Sequence, residues 1–99
     1  MRPDGHRGEI NMYVYILQSQ KSGHYYIGSS RDPEVRCIEH NSGLTRSTKN
    51  KGPWHLKFKQ YFTNSRTARH IERKLKNFKS RKIIEKIISD KNIRIAYGV

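Results

Sequence analysis

The stretch from Tyr13 to Asn41 constrains the fold more than any other part of the chain. Tyr13-Val14-Tyr15-Ile16-Leu17 and Tyr25-Tyr26-Ile27 are rich in β-branched and aromatic residues, and Lys21-Ser22-Gly23 between them is turn material, so the pair reads as a β-hairpin. Gly28-Ser29-Ser30 ends its second strand. Asp32 can cap a helix beginning at Pro33, a residue suited to that position because the N–H it lacks would have no partner there. Arg36 and His40 lie four apart and share a face of this helix, which Asn41-Ser42-Gly43 stops. In the first strand Tyr13, Tyr15 and Leu17 alternate with Val14 and Ile16, so both faces are covered, as in a central strand, and one must meet helices.

Later segments supply the remaining layers. Leu44 to Pro53 has no apolar period and reads as a loop whose Arg46, Lys49 and Lys51, with hydroxyls between them, suit phosphate contacts; a merely solvated loop is the alternative. Trp54, Leu56, Phe58, Gln60 and Phe62 alternate with His55, Lys57, Lys59 and Tyr61, which predicts a third strand with its apolar set on the core and its lysines in water. Trp54 reads as a core anchor, with base stacking as the competing role. Ala68, Ile71, Leu75 and Phe78 recur at helical spacing behind Thr63 or Asn64 as cap, and Ile83, Ile84, Ile87 and Ile88 form the apolar face of a helix that Ser80 starts. The fold class is therefore α+β, a three-stranded antiparallel sheet flanked by helices. Ile93, Ile95 and Tyr97 alternate in a tail over 91–99 that either adds a short strand or frays. Residues 1–11 read as a disordered lead-in or cloning remnant, with Met12 a candidate natural start, and 12–90 as one domain.

Charge decides the class of partner. Lys and Arg outnumber Asp and Glu by 21 to 8, a formal net charge of +13 on 99 residues, and such a surplus attracts polyanions, nucleic acid first among them. No stretch approaches the ~20 apolar residues of a membrane-spanning helix. Cys37 is the only cysteine, which excludes an internal disulfide and points to a reducing, cytoplasmic setting; within its helix it reads as a small apolar residue. His6, His24, His55 and His70 show no metal-ligand grouping. From Asn64 onward cations number 11 and acids 3, so nucleic acid is expected across this half, with Arg69, Arg73, Lys76 and Lys79 as contacts beside the loop cations.

Tyr13-Val14-Tyr15 and Tyr26-Ile27-Gly28 resemble the two motifs that name the GIY-YIG nuclease family. Arg36 follows the second motif's tyrosine by ten residues, and Arg69-His70-Ile71-Glu72-Arg73-Lys74-Leu75-Lys76 resembles the helix carrying that family's metal-binding glutamate. The match runs from about Met12 to Ile88 and is nearest the small free-standing bacterial members; one departure is Tyr13 in place of the first motif's glycine. The resemblance implies an endonuclease acting on nucleic acid, DNA being the expected substrate. It implies catalytic roles for Tyr15, Tyr26, Arg36, His40 and Glu72, with Glu72 holding one Mg²⁺ or Mn²⁺. Without it, Tyr15 and Tyr26 are ordinary strand aromatics, Glu72 a surface carboxylate paired with a nearby cation, and His40 either an exposed helix residue or a catalytic one. The absence of clustered carboxylates points to a single metal. Tyr15 as the base is problematic, because a phenol near pKa ~10 is a poor base at neutral pH unless its surroundings lower that value. A basic nucleic-acid-binding module with an idle site is the alternative function.

Overall fold

A computed structural model describes residues 12–93. The lead-in and the end of the tail, with its expected strand or frayed end, lie outside the described residues. Three antiparallel strands, β1 (Met12–Ser19), β2 (Tyr25–Ser30) and β3 (Trp54–Phe62), form a sheet of order β2-β1-β3. Helix α1 (Pro33–Asn41) follows β2, a short 3₁₀ turn covers Arg46–Thr48, and α2 (Ser65–Phe78) and α3 (Arg81–Asp90) follow β3. Among the described residues no helix is long and apolar enough to cross a membrane.

Local chemistry accounts for most boundaries. Asp32, Asn64 and Ser80 each accept a hydrogen bond from the first turn of the helix they precede, satisfying N–H groups that have no partner within the helix. The hairpin reverses at Gly23, whose φ of +80° is costly for residues with a Cβ, and Gly23 N–H bonds Ser19 C=O at 2.8 Å.

β1 is buried on both faces, and each face has its own helices. Val14 and Ile16, with Ile27, Phe58 and Phe62, pack against Ala68, Ile71 and Leu75 of α2 and Ile84 and Ile87 of α3. On the other face Tyr15, Leu17 and Trp54 form a second, smaller core with Tyr26, Cys37 and Leu56 beneath α1. Trp54 and half-buried Cys37 are thus packing residues, as expected.

The third strand departs from the one-faced pattern expected of it. Ile16 pairs with Phe58, but Leu17 pairs with Leu56, so Lys57 is an extra residue in the ladder. Paired residues of adjacent strands share a face, and a bulge shifts that alternation by one. Phe58 and Phe62 consequently face α2 and α3, while Leu56 and Trp54 face α1. Phe78 also departs from expectation. It is the last residue of α2, before the chain turns left-handed at Lys79 (φ 49°), and it is 38% exposed rather than part of the buried stripe. The stretch before β3 is a loop, but a tethered one. Ser19 Oγ donates to Lys51 C=O at 2.7 Å, Gln20 N–H to Pro53 C=O at 2.8 Å, and Trp54 Nε1 to Thr48 C=O at 3.1 Å. Thr48 is buried, so its hydroxyl serves the interior and not a phosphate.

Candidate active site

The strand register places the two motif tyrosines. Tyr15 pairs with Gly28 and Leu17 with Tyr26, whereas Ile16 and Ile27 pair on the opposite face, so both phenols stand on the α1 side with ring centroids 6.3 Å apart. Tyr15 lies directly over Gly28. A Cβ built there would be 2.6 Å from the Tyr15 hydroxyl oxygen and 2.8 Å from Cζ, closer than side-chain carbons come. The glycine thus gives the phenol room to lie across β2, and its φ is not in the left-handed region; the requirement is for space.

Helix α1 supplies the next two groups. Its capped start and its docking on Trp54, where Asn41 Oδ1 accepts from Trp54 N–H at 2.7 Å and Asn41 Nδ2 donates to Trp54 C=O at 3.0 Å, fix the face bearing Arg36 and His40. His40 is 1% exposed, which removes the exposed-residue reading. Its Nε2 lies 3.1 Å from the Tyr15 hydroxyl and its Nδ1 2.8 Å from Thr48 Oγ1. Thr48 O–H donates onward to Thr45 C=O at 3.3 Å, so its oxygen accepts from His40 Nδ1–H, and Nε2 is left to accept from Tyr15 O–H. The bonding pattern thus sets the tautomer, with Tyr15 as donor to Nε2 and Thr48 as acceptor from Nδ1–H. Burial, with the positive charge of Arg36 behind it, lowers the His40 pKa below 6.5 and keeps the ring neutral at pH 7. The Tyr26 ring packs 4.6 Å from the imidazole, centroid to centroid.

Desolvation governs Tyr15. Burial, then the neighbouring Tyr26, push its pKa up to about 12 against the opposing hydrogen bond and charge of Arg36, and Glu72 adds to the rise. With these neighbours Tyr15 remains a phenol at neutral pH, and the lowering that would make it a free base is not supplied by Arg36. The Arg36 guanidinium donates to Glu39 at 2.6 Å, the contact that chiefly raises its own pKa, and also interacts with the Tyr15 hydroxyl.

Glu72 arrives from α2, on the far side of the sheet. Its side chain is 18% exposed; Oε1 accepts from Ser29 Oγ at 2.6 Å and Oε2 is 2.8 Å from Lys76 Nζ. Lys76 also lies 5.9 Å from the centre of the Tyr26 ring. The structure therefore gathers Tyr15, Tyr26, Arg36, His40 and Glu72 around β2, an edge strand of the sheet, at Gly28-Ser29. Ser29 and Thr48 are partners that sequence reasoning passed over. Ser29 was findable, since it shares its strand face with Ile27 and so looks toward α2; Thr48 was not, because its pairing depends on how the loop folds back.

The expected nucleic-acid contacts divide into groups. Arg46, Lys49 and Lys51 are exposed on the loop, and Lys49 borders a hollow of about 640 Å³ that reaches His40 and Thr48. Arg69 and Arg73 are exposed on α2 and line a second hollow with Ser65, Arg66 and His70. Lys76 and Lys79 edge a groove of about 410 Å³ between the start of β2 and the α2–α3 junction, with Arg81 on the same rim.

Among the described residues no group of three or more His, Cys, Asp or Glu side chains could hold a metal. One partly exposed carboxylate beside a serine hydroxyl does fit a hard divalent ion that keeps most of its waters and takes further oxygens from a phosphate; it does not fit zinc, which needs three or four protein ligands, chiefly nitrogen or sulfur.

Comparison with known proteins gives a consistent picture. A family model described as the GIY-YIG catalytic domain matches residues 11–86. A UPF0213 protein of Staphylococcus saprophyticus is 34% identical over 79 residues, covering 79% of this chain and 94% of the relative. A UPF0213 protein of Clostridium perfringens is 33% identical over 85 residues, covering 81% and 90% respectively. The solution NMR structure of a UPF0213 protein from Bacillus halodurans, 32% identical, superposes with a TM-score of 0.54 over 84% of this chain and 87% of that one.

Proposed function

The chain belongs to the GIY-YIG catalytic-domain family, a nuclease family, and from that premise we propose that it is a metal-dependent endonuclease hydrolysing phosphodiester bonds in nucleic acid, with DNA as substrate and one Mg²⁺ or Mn²⁺ as cofactor. The observation that carries this reading is the hydrogen-bonded line from Tyr15 through His40 to Thr48, with Arg36 acting on the same hydroxyl.

In this mechanism Tyr15 works as a relay. It accepts a proton from the attacking water while passing its own to His40 Nε2, so a phenol of high pKa never has to exist as a free phenolate. The neutral, buried imidazole is the acceptor, and Thr48 holds its tautomer. Arg36 turns from Glu39 to the nonbridging phosphate oxygens, which its planar fork can bind in pairs. Tyr26, packed on the imidazole, fixes the ring against which the relay works. The water oxygen bonds to phosphorus as the opposite P–O bond breaks. Glu72, steadied by Ser29, would hold the divalent ion, which when bound stabilises charge on the phosphate and leaving oxygen. The exposed cations Arg46, Lys49, Lys51, Arg69, Arg73 and Lys79 are assigned to backbone phosphates, contacts that position a strand without reading its sequence.

Nicking of a supercoiled plasmid in Mg²⁺ or Mn²⁺ tests this: wild type is expected to cut at least about 100-fold faster than Glu72→Ala or Tyr15→Phe. Equal rates for the three proteins would refute the assignment. A second reading, a basic binding module with an idle site, is favoured by the internal pairing of Arg36 with Glu39 and of Glu72 with Lys76. It predicts binding without cleavage, with affinity falling steeply as salt rises.

A further inference from the structure

Lys76 is unlike the other cations assigned to phosphate. Its ammonium is 2.8 Å from Glu72 Oε2, the carboxylate assigned to the metal, and it reaches over Tyr26 at 5.9 Å from the ring centre. Four residues separate the two on α2, a spacing at which side chains meet on the helix surface. Glu72 Oε1 is already taken by Ser29, so the lysine occupies the oxygen that remains for a cation. A lysine and a divalent ion cannot share that oxygen comfortably, because an ammonium and a doubly charged ion a few ångströms apart repel each other strongly.

We propose that Lys76 is a displaceable counter-ion of the metal site. Without a divalent ion its ammonium neutralises and aims Glu72; when an ion binds, the side chain swings out onto the phosphate of the substrate. Two observations make the movement feasible and give it a destination. The Lys76 side chain is 49% exposed, so it has room to move. It borders the groove of about 410 Å³ that Lys79 and Arg81 also edge. Released from Glu72, it would make that rim a set of three cations next to Tyr26, where a strand entering the site brings phosphate. Two functions of opposite sign follow for one residue: it opposes metal binding and assists substrate binding. A simple surface ion pair would do only the first.

This inference rests on the reading of Glu72 as metal ligand, and the test separates the two. Mn²⁺ is titrated into wild type, Lys76→Gln, Lys76→Arg and Glu72→Gln without nucleic acid, the free ion being followed by electron paramagnetic resonance and folding by circular dichroism. Lys76→Gln is expected to bind Mn²⁺ about three- to tenfold more tightly than wild type, and Lys76→Arg, which keeps the charge, close to wild type. At saturating Mn²⁺, Lys76→Gln should nevertheless need several-fold more substrate to reach half its maximal rate. Equal Mn²⁺ affinities for folded wild type and Lys76→Gln, with Glu72→Gln weaker than both, would overturn the counter-ion role and leave Glu72 as ligand. Equal affinities for all four proteins would remove the metal site itself, and this inference with it.

Discussion

Gly28→Ala is the sharpest single test of how this site is built. The backbone at Gly28 does not demand glycine, so any effect comes from the added methyl. That methyl would sit 2.6 Å from the Tyr15 hydroxyl oxygen, 2.8 Å from Cζ and 3.1 Å from Cε2, and restoring tolerable contact needs a shift of about 0.4 to 0.8 Å. Tyr15 cannot yield cheaply, because it is 1% exposed on the central strand and its hydroxyl is held 3.1 Å from His40. Lifting the ring off the sheet either compresses it against the imidazole or breaks that bond. Overpacking of this kind costs about 1–3 kcal/mol, and displacing a reacting group by part of an ångström lowers turnover by up to about 100-fold. Urea denaturation gives the first number and plasmid nicking the second. Repeating Gly28→Ala in a Tyr15→Leu background isolates the cause: with the ring gone, the methyl should cost almost nothing, a coupling of at least about 1 kcal/mol. Wild-type stability and activity in Gly28→Ala, or the same loss in both backgrounds, would refute the steric reasoning.

Three further outcomes follow from the site and from the sheet register. The Tyr15 pKa is raised from 10 to about 12 in the folded protein, so its contribution is complete below pH 10 and disappears as pH rises through about 12. That contribution is about 2–3 kcal/mol at most, and Tyr15→Phe should flatten the alkaline limb of a stability–pH curve. His40 is lowered, so its contribution is present above 6.5 and falls away as pH drops below it; cleavage should decline over the same acid range, because a protonated ring cannot accept the Tyr15 proton. In β3, deleting Lys57 removes the bulged residue yet leaves Phe58 opposite Ile16 and Leu56 opposite Leu17, so the chain should still unfold cooperatively. Deleting Lys59 instead breaks the alternation next to Phe58. Loss of folding in the first and not the second, seen by circular dichroism on heating, would contradict the register.

Much of the architecture was legible because it is encoded locally. The hairpin, the three capped helices and the double-sided first strand all follow from residues within a few positions of one another, and the structure has them. The one-faced third strand failed for a reason local reading cannot reach. Trp54, Leu56, Phe58 and Phe62 keep a strict period of two, which by itself describes a regular strand with one buried face. Only the pairing with β1, and the skipping of Lys57, sends half of that set to the opposite core. His40 was ambiguous on similar grounds: helical spacing gives it a face in common with Arg36, but its burial comes from the loop that carries Thr48 back over it.

The position of the site follows from the two-core design. Tyr15 and Tyr26 belong to the α1 side of the sheet, whereas Glu72 belongs to α2 on the other, and a sheet ordinarily keeps its two sides apart. Groups from opposite faces can meet only around an edge. β1 is paired on both flanks and offers none, and β3 carries its bulge and its lysines; β2 is the edge with a glycine facing α1 and a serine facing α2 at consecutive positions. Gly28 makes space for the Tyr15 phenol on one side, and Ser29 holds Glu72 on the other at 2.6 Å. A side chain larger than hydrogen at the first position overpacks the α1-side core and displaces the phenol, whereas an apolar one at the second releases the carboxylate while leaving both cores packed. Ser29 is therefore where the requirements of folding and those of chemistry part, and substitution there should reduce cleavage far more than it reduces stability.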